Sequence, residues 1–164
     1  MARSAIDEVI QRAYIRSLGY ANRFPRTPTL KLAVLCCMDA RLDFHEILGA
    51  EPGQVHVLRN AGGLASDDML RSLALSQTLM GTHEVMVIHH THCALLEHTE
   101  EQLGAAVEKA SGRRRPDAFG AFTNVDASVA EAVETIRNCL YLPFREGVRS
   151  FVYDIETGKL REVG

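Results

Sequence analysis

The sequence contains no tryptophan, and aromatic residues make up only 6% of its 164 positions. It has no apolar run near the roughly 18 residues that a membrane-spanning helix needs, so no helical span is expected. It has no strong charge of either sign. The formal net charge is −3, which points to no nucleic-acid or membrane partner. The one basic run, Arg113-Arg114-Arg115, stands between Gly112 and Pro116 and reads as a solvated loop. No Cys-x-x-Cys occurs among Cys36, Cys37, Cys93 and Cys139, which argues against a redox dithiol. There is no internal repeat, no low-complexity tract and no sign of a second domain, so residues 1–164 are read as one domain with one sizeable core. The first twenty residues are amphipathic and carry acids, unlike a signal or transit peptide. The expectation is a cytoplasmic chain with reduced thiols, whose cysteines pack, ligate or react rather than form disulfides.

What is present alternates. Ser4 is a candidate N-cap, and Ile6, Val9, Ile10, Ala13, Tyr14 and Leu18 recur at helical spacing until Gly19. The stretch 22–29, with two prolines, reads as an extended arm. The apolar face of such a helix must be covered either by its own domain or by a second copy of the chain. Beyond the arm, "LKLAVLCC", "QVHVLRN" and "EVMVIHH" read as strands. "DFHEILG", "SDDMLRSLALSQTLMG", "TEEQLGAAVEKASG" and "NVDASVAEAVETIRNCLYL" read as helices, the last with Val125, Val129, Ala132, Val133, Ile136 and Leu140 on one face. Residues 112–123 are expected to be a loop. "VRSFVYDIETGKLREV" reads as a strand, a turn at Thr157-Gly158 and a hairpin partner. The fold class is α/β, with a mainly parallel sheet flanked by helices. Ligands of such sheets bind at the carboxyl ends of the strands.

Three strand ends carry unusual chemistry: "CCMDAR", "RNAGG" and "HHTHC". In extended chain alternate side chains share a face, so Cys37, Asp39 and Arg41 are expected to point one way and Cys36 the other, into the core. Arg41 can hold the Asp39 carboxylate ionised in one rotamer. His90 and Cys93 have the spacing with which a tight turn chelates one metal. If the first and third strands are neighbours, Cys37 completes a Cys-His-Cys set suited to Zn²⁺, one ion per chain, with a fourth position open. Asp39 could fill that position or steer a water bound there. His89 and His92 are alternatives to His90, and both read better as structural or solvent-facing groups. Gly62 and Gly63 allow close backbone approach and could line a pocket for a small molecule. Asp43 is expected to cap the following helix, and Cys139 to pack. His45, His56, His83 and His98 have no partner at ligand spacing.

Taken together these motifs resemble the β-class carbonic anhydrases, in their short-chain bacterial form. The first family signature, Cys-x-Asp-Ser/Ala-Arg, is matched by Cys37, Asp39, Ala40 and Arg41, and the second, His-x-x-Cys, by His90 and Cys93. The resemblance runs from about the arm to the end of the chain. It implies that Cys37, His90 and Cys93 bind zinc and that Asp39 and Arg41 form a catalytic dyad. In closed members of the family Asp39 itself takes the fourth zinc position. The resemblance also implies a dimer or a dimer of dimers, with the helix and arm of residues 1–29 wrapping the partner. The implied reaction is reversible hydration of CO₂ to bicarbonate by a zinc-bound hydroxide, with CO₂ in an apolar pocket near Gly62 and Gly63.

Two residues depart from the pattern. Ala94 stands where the family usually has glycine, which makes it a candidate substrate-pocket residue, and His92 is unusual between His90 and Cys93. Short relatives include hydrolases of carbonyl sulfide and carbon disulfide, linear apolar molecules like CO₂, and that activity is the alternative reading. A non-catalytic zinc domain is the least favoured, because it would need neither an open position nor a charged orienter.

Overall fold

A computed structural model describes residues 4–21 and 24–164. Five strands form one sheet in the order β2-β1-β3-β4-β5. These are β1 (Leu32–Cys37), β2 (Val55–Asn60), β3 (Glu84–His90), β4 (Val148–Tyr153) and β5 (Leu160–Val163). The first four are mutually parallel, and only β5 runs antiparallel, against β4. The helices are α1 (Ala5–Ser17), α2 (Phe44–Leu48), α3 (Asp67–Met80), α4 (Ala94–Glu97), α5 (Glu100–Ser111) and α6 (Val125–Asn138). This is the α/β arrangement that the alternating pattern predicts.

Local chemistry explains the boundaries. Asp43 caps α2 by accepting from the His45 N–H. Thr99 and Gln102 form a reciprocal capping box at α5. Asn124 accepts from Asp126 and Ala127 at the start of α6. Gly49, Gly81 and Gly112 close α2, α3 and α5 in left-handed conformation. Because β1 and β3 are covered on both faces, they show no polar alternation. One core joins Ala33, Leu35, Val85 and Val87 to Leu73 of α3 and Val129, Val133 and Ile136 of α6. The other gathers Val34, Cys36, Ile88, Leu42 and Phe44 with Cys37, Cys93 and Leu95.

Two features differ from the sequence expectation. Helix α6 stops at Asn138, and a turn carries Cys139 and Leu142 inward. Leu140, expected on the buried face, is therefore 85% exposed. The four-residue α4 was not expected: it occupies the stretch between "HHTHC" and the helix pattern that begins at Thr99. Of the expected arm, residues 22 and 23 lie outside the described residues. The remainder is pinned by Thr29 and Leu30, whose N–H groups donate to the carbonyls of Gly53 and Gln54. Helix α1 forms as predicted, capped by Ser4, but none of its residues is buried. Ile6, Val9, Ile10, Tyr14 and Leu18 stay exposed, so the chain's own domain does not cover them.

At the carboxyl end of β3, His89 is fully buried. Its Nε2 donates to the Gly63 carbonyl at 3.1 Å, and its Nδ1 has no partner. Burial pushes its pKa down to about 4. The unfolded chain binds this proton below about 6.5, and the fold accepts it only near that lower value. Between the two the unfolded state holds more protons, so stability falls as pH drops, by up to about 3 kcal/mol. His89→Gln should flatten the decline of urea midpoints from pH 6.5 to 4 relative to the parent. Parallel declines would remove His89 as its source. Separately, Ile136→Ala should cost about 2–5 kcal/mol in urea unfolding, whereas Leu140→Ala should stay within about 0.5 kcal/mol. Equal costs would contradict the observed end of α6.

Candidate metal centre

Parallel pairing of β1 with β3 sets Cys36 opposite Ile88, so both strands deliver their last residues to the same edge. There the ligand atoms of Cys37, His90 and Cys93 lie within 4.8 Å of one another, and all three residues are buried. Cys93 arrives through a tight turn in which His92 adopts a left-handed backbone (φ 56°). It caps α4, and the N–H groups of Leu95 and Leu96 approach its sulfur.

The donor set fits a soft-to-borderline cation on structural grounds. His90 Nδ1 lies 2.8 Å from the Thr91 carbonyl, which can only accept, so Nδ1 carries the proton. Nε2 is left as a bare lone pair, buried without a hydrogen-bond partner. The two sulfurs share the remaining space. Cys37 is pushed down, first by the hydrogen bond from Cys93 and further by the Asp39 and Gly62 N–H groups. Cys93 is correspondingly pushed up, first by its bond to Cys37 and then by burial. Without a cation the two sulfurs thus share a proton between them. A buried thiolate beside an unpartnered imidazole nitrogen is a costly arrangement that a metal relieves. Cys36 is different. Burial pushes its thiol up to about 12, its Sγ reaches only the Leu58 carbonyl at 3.5 Å, and it stays a packing residue.

Asp39 and Arg41 do meet, though not by extended alternation. Strand β1 ends at Cys37, and the chain then turns. Asp39 Oδ1 accepts from the Arg41 backbone N–H and from its Nε, both at 2.9 Å, while Oδ2 accepts from Nη2 at 2.7 Å. The guanidinium holds the carboxyl well below the usual carboxylate range. Oδ2 stands 4.0 Å from His90 Nε2, beside the ligand cluster. The same Arg41 Nη2 donates to the His92 carbonyl at 2.8 Å, tying the dyad to the turn that carries Cys93.

Gly62 and Gly63 are buried, and both need their left-handed conformation (φ 78° and 73°). A Cβ on Gly63 would stand 3.0 Å from the Cys36 carbonyl carbon and 3.1 Å from the Cys37 nitrogen. On Gly62 it would meet Leu95 Cδ1 at 2.5 Å. Their backbone supports the ligands: the Gly62 N–H reaches the Cys37 sulfur, and the Gly63 carbonyl holds His89. Ala94 opens α4 at the surface, one residue past Cys93. Of the alternative ligands, His89 is the buried buttress just described. His92 points to Glu97 (3.0 Å) and Glu156 (3.4 Å), away from the cluster.

Sequence reasoning missed Arg59. Its Nε donates to the Cys37 carbonyl at 3.0 Å and its Nη2 to the Asp39 carbonyl at 2.6 Å, with the guanidinium 5.5 Å over the Phe44 ring. It clamps the backbone between ligand and dyad. An arginine inside an otherwise apolar strand pattern was the available signal.

Comparison with known proteins agrees with this geometry. The family model described as carbonic anhydrase matches residues 32–160. The chain is 37% identical over 145 residues to β-carbonic anhydrase 1 of Mycobacterium tuberculosis, covering 88% of this chain and 89% of that protein. It is 29% identical over 186 aligned positions to a carbon disulfide hydrolase of Saccharolobus solfataricus, covering 99% and 90%. The crystal structure of a carbonic anhydrase from Streptococcus mutans superposes with a TM-score of 0.91 at 33% identity over the whole of both chains. The fold, the gathered ligands and these matches give one conclusion: the chain belongs to the β-carbonic anhydrase family.

Proposed function

We propose that the protein catalyses the reversible hydration of CO₂ to bicarbonate at a single zinc ion held by Cys37, His90 and Cys93. The observation that carries the reading is the buried Cys-His-Cys cluster with an ionised, arginine-held carboxylate beside it. Zinc supplies Lewis acidity there, bringing the pKa of a water toward neutrality. The chain's own groups do the rest. Asp39, fixed by two bonds from the Arg41 side chain, accepts a hydrogen bond from the attacking water and sets its direction. The carboxylate is already engaged by Arg41, which holds it as an acceptor for the water rather than as a ligand. Gly62 and Gly63 bring bare backbone against the strand that carries Cys37, and Leu95 supplies an apolar wall above Gly62. Ala94 borders the approach from the surface side.

The exposed apolar face of α1 is covered in this reading by a second copy of the chain, giving a dimer or a dimer of dimers. No helix among the described residues is long and apolar enough to cross a membrane. Four free cysteines suit the reducing cytoplasm.

A second reading, hydrolysis of carbonyl sulfide or carbon disulfide at the same centre, is favoured by one observation. The apolar cluster that contains Cys37 and Cys93 also includes Leu95, with Leu64, Leu96, Phe119 and Phe122 packed against it. Stopped-flow CO₂ hydration run beside sulfide release separates the two. Fast sulfide release with negligible hydration would overturn the first reading. Metal analysis should return about one zinc per chain. Asp39→Asn should keep its zinc and lose about 100-fold or more in kcat. Unchanged turnover in that variant would take Asp39 out of the mechanism.

A further inference from the structure

The loop of residues 112–123 is not loose where it passes the metal centre. Glu100, in the first turn of α5, reaches across to it with both carboxylate oxygens. Oε2 accepts from the Phe119 N–H at 2.8 Å, and Oε1 accepts from Gly120 at 2.6 Å and from Ala121 at 2.5 Å. Three consecutive backbone donors on one side chain fix the path of the segment. The Phe122 N–H then donates to the Leu95 carbonyl at 2.9 Å, and the Phe122 ring stacks on His89 with centroids 5.7 Å apart.

This segment meets Leu64, the residue after the two glycines. Gly120 has φ 86°, and a Cβ placed on it would lie 2.4 Å from Leu64 Cδ1. Leu64 therefore rests on the bare Gly120 backbone. On one side of the seam lie Gly62, Leu95 and the ligand cluster. On the other lies a cleft of about 360 Å³, lined among others by Leu64, Ala65, Gly120, Phe122 and Ala132. None of the three ligands lines the cleft. Leu64 and Phe122 both line this cleft and pack against the apolar cluster that contains Cys37 and Cys93.

We propose that the seam between Leu64 and residues 119–122 is the doorway by which a small, linear, apolar substrate passes from this cleft to the metal centre, and that Glu100 is the positioning residue that sets its width. The proposal rests on the metal-centre reading above and adds the route and the size filter. The doorway is apolar and lined by a glycine, so a triatomic molecule passes by a small rotation of Leu64. The ionic side of the site, at Asp39 and Arg41, is left to water and protons. Glu100 acts at a distance, through three hydrogen bonds to backbone. Its loss therefore alters access without touching the ligands or the dyad.

The test uses the zinc-loaded full-length protein with Glu100→Gln, Leu64→Ala and the double variant. Two readouts are taken: KM and kcat for CO₂, carbonyl sulfide and carbon disulfide, and the rate at which zinc passes to a small chelator without substrate. Gln offers one acceptor oxygen where the segment presents three donors, so the seam loosens. Each single variant should shift KM by about 3- to 10-fold with kcat within about 2-fold, and should speed zinc release several-fold. Because both act on one contact, the double variant should go no further than the larger single effect. Additive effects, or a Glu100→Gln protein with parental KM and release rate, would overturn the role of Glu100. Parental behaviour of Leu64→Ala would overturn the doorway and move the route to the Asp39 side. If the parent turns over none of the three substrates, the functional reading fails, and the release rates still decide the doorway. A variant that unfolds shows itself by losing zinc at once and by a collapsed melting transition; Leu64→Val then replaces Leu64→Ala.

Discussion

Everything at this centre depends on β1 and β3 being direct parallel neighbours whose carboxyl ends stop at one level. Two residues far apart in sequence, Cys37 and His90, are thereby buried side by side, and a single tight turn brings Cys93 to them. Burial creates the electrostatic problem that defines the site. A thiolate and a bare imidazole nitrogen are held out of water, and protein donors only partly compensate them. The neighbouring backbone is arranged around that problem. Gly62 and Asp39 aim N–H groups at Cys37, and α4 begins at Cys93 with its first amides turned toward the sulfur.

The same arrangement explains why the glycine pair follows β2. Strand β2 lies beside β1, so the chain leaving it must cross the end of β1 at backbone contact distance. Gly63 approaches the Cys36–Cys37 peptide so closely that no side chain fits. From that position its carbonyl holds His89, the buried neighbour of ligand His90. Just upstream, Arg59 clamps the carbonyls of Cys37 and Asp39. The "RNAGG" stretch is thus a frame for the ligands first, and only through that frame a boundary of the space above them.

The candidate ligands were legible in the sequence because they stand at or just past strand ends, where an apolar run changes abruptly into chemistry. The α/β class followed from the alternation of elements, whereas the pairing of β1 with β3 entered only as a condition; the caps of α1 and α2 followed from Ser4 and Asp43. Less of the machinery that orients these groups was legible. The Asp39–Arg41 pair was anticipated, but as two alternating residues of extended chain. It is instead made by a turn in which the Arg41 backbone and side chain grip the same carboxylate. Arg59 and Glu100 act on backbone groups about 20 residues away in sequence. Hydrogen bonds of that kind leave no periodicity, so pattern reading has nothing to detect. The end of α6 was misplaced for a related reason: Leu140 continues the helical spacing, but the turn at Cys139 had already taken the inward position.

Ala94 looked like the position where substrate choice would be decided, because it departs from the family pattern, as His92 also does. Both side chains lie on the exposed side of the site. Ala94 is on the surface at the start of α4, and the His92 side chain lies between two glutamates, contributing only its carbonyl to Arg41. The apolar cluster that holds Cys37 and Cys93 includes Leu95, and Leu64 and Phe122 pack against it. CO₂, carbonyl sulfide and carbon disulfide share a linear shape and differ mainly in width, length and polarizability. A centre that treats them alike chemically can separate them only by the space it leaves, and that space is set by apolar side chains resting on two glycines and a loop held by one carboxylate.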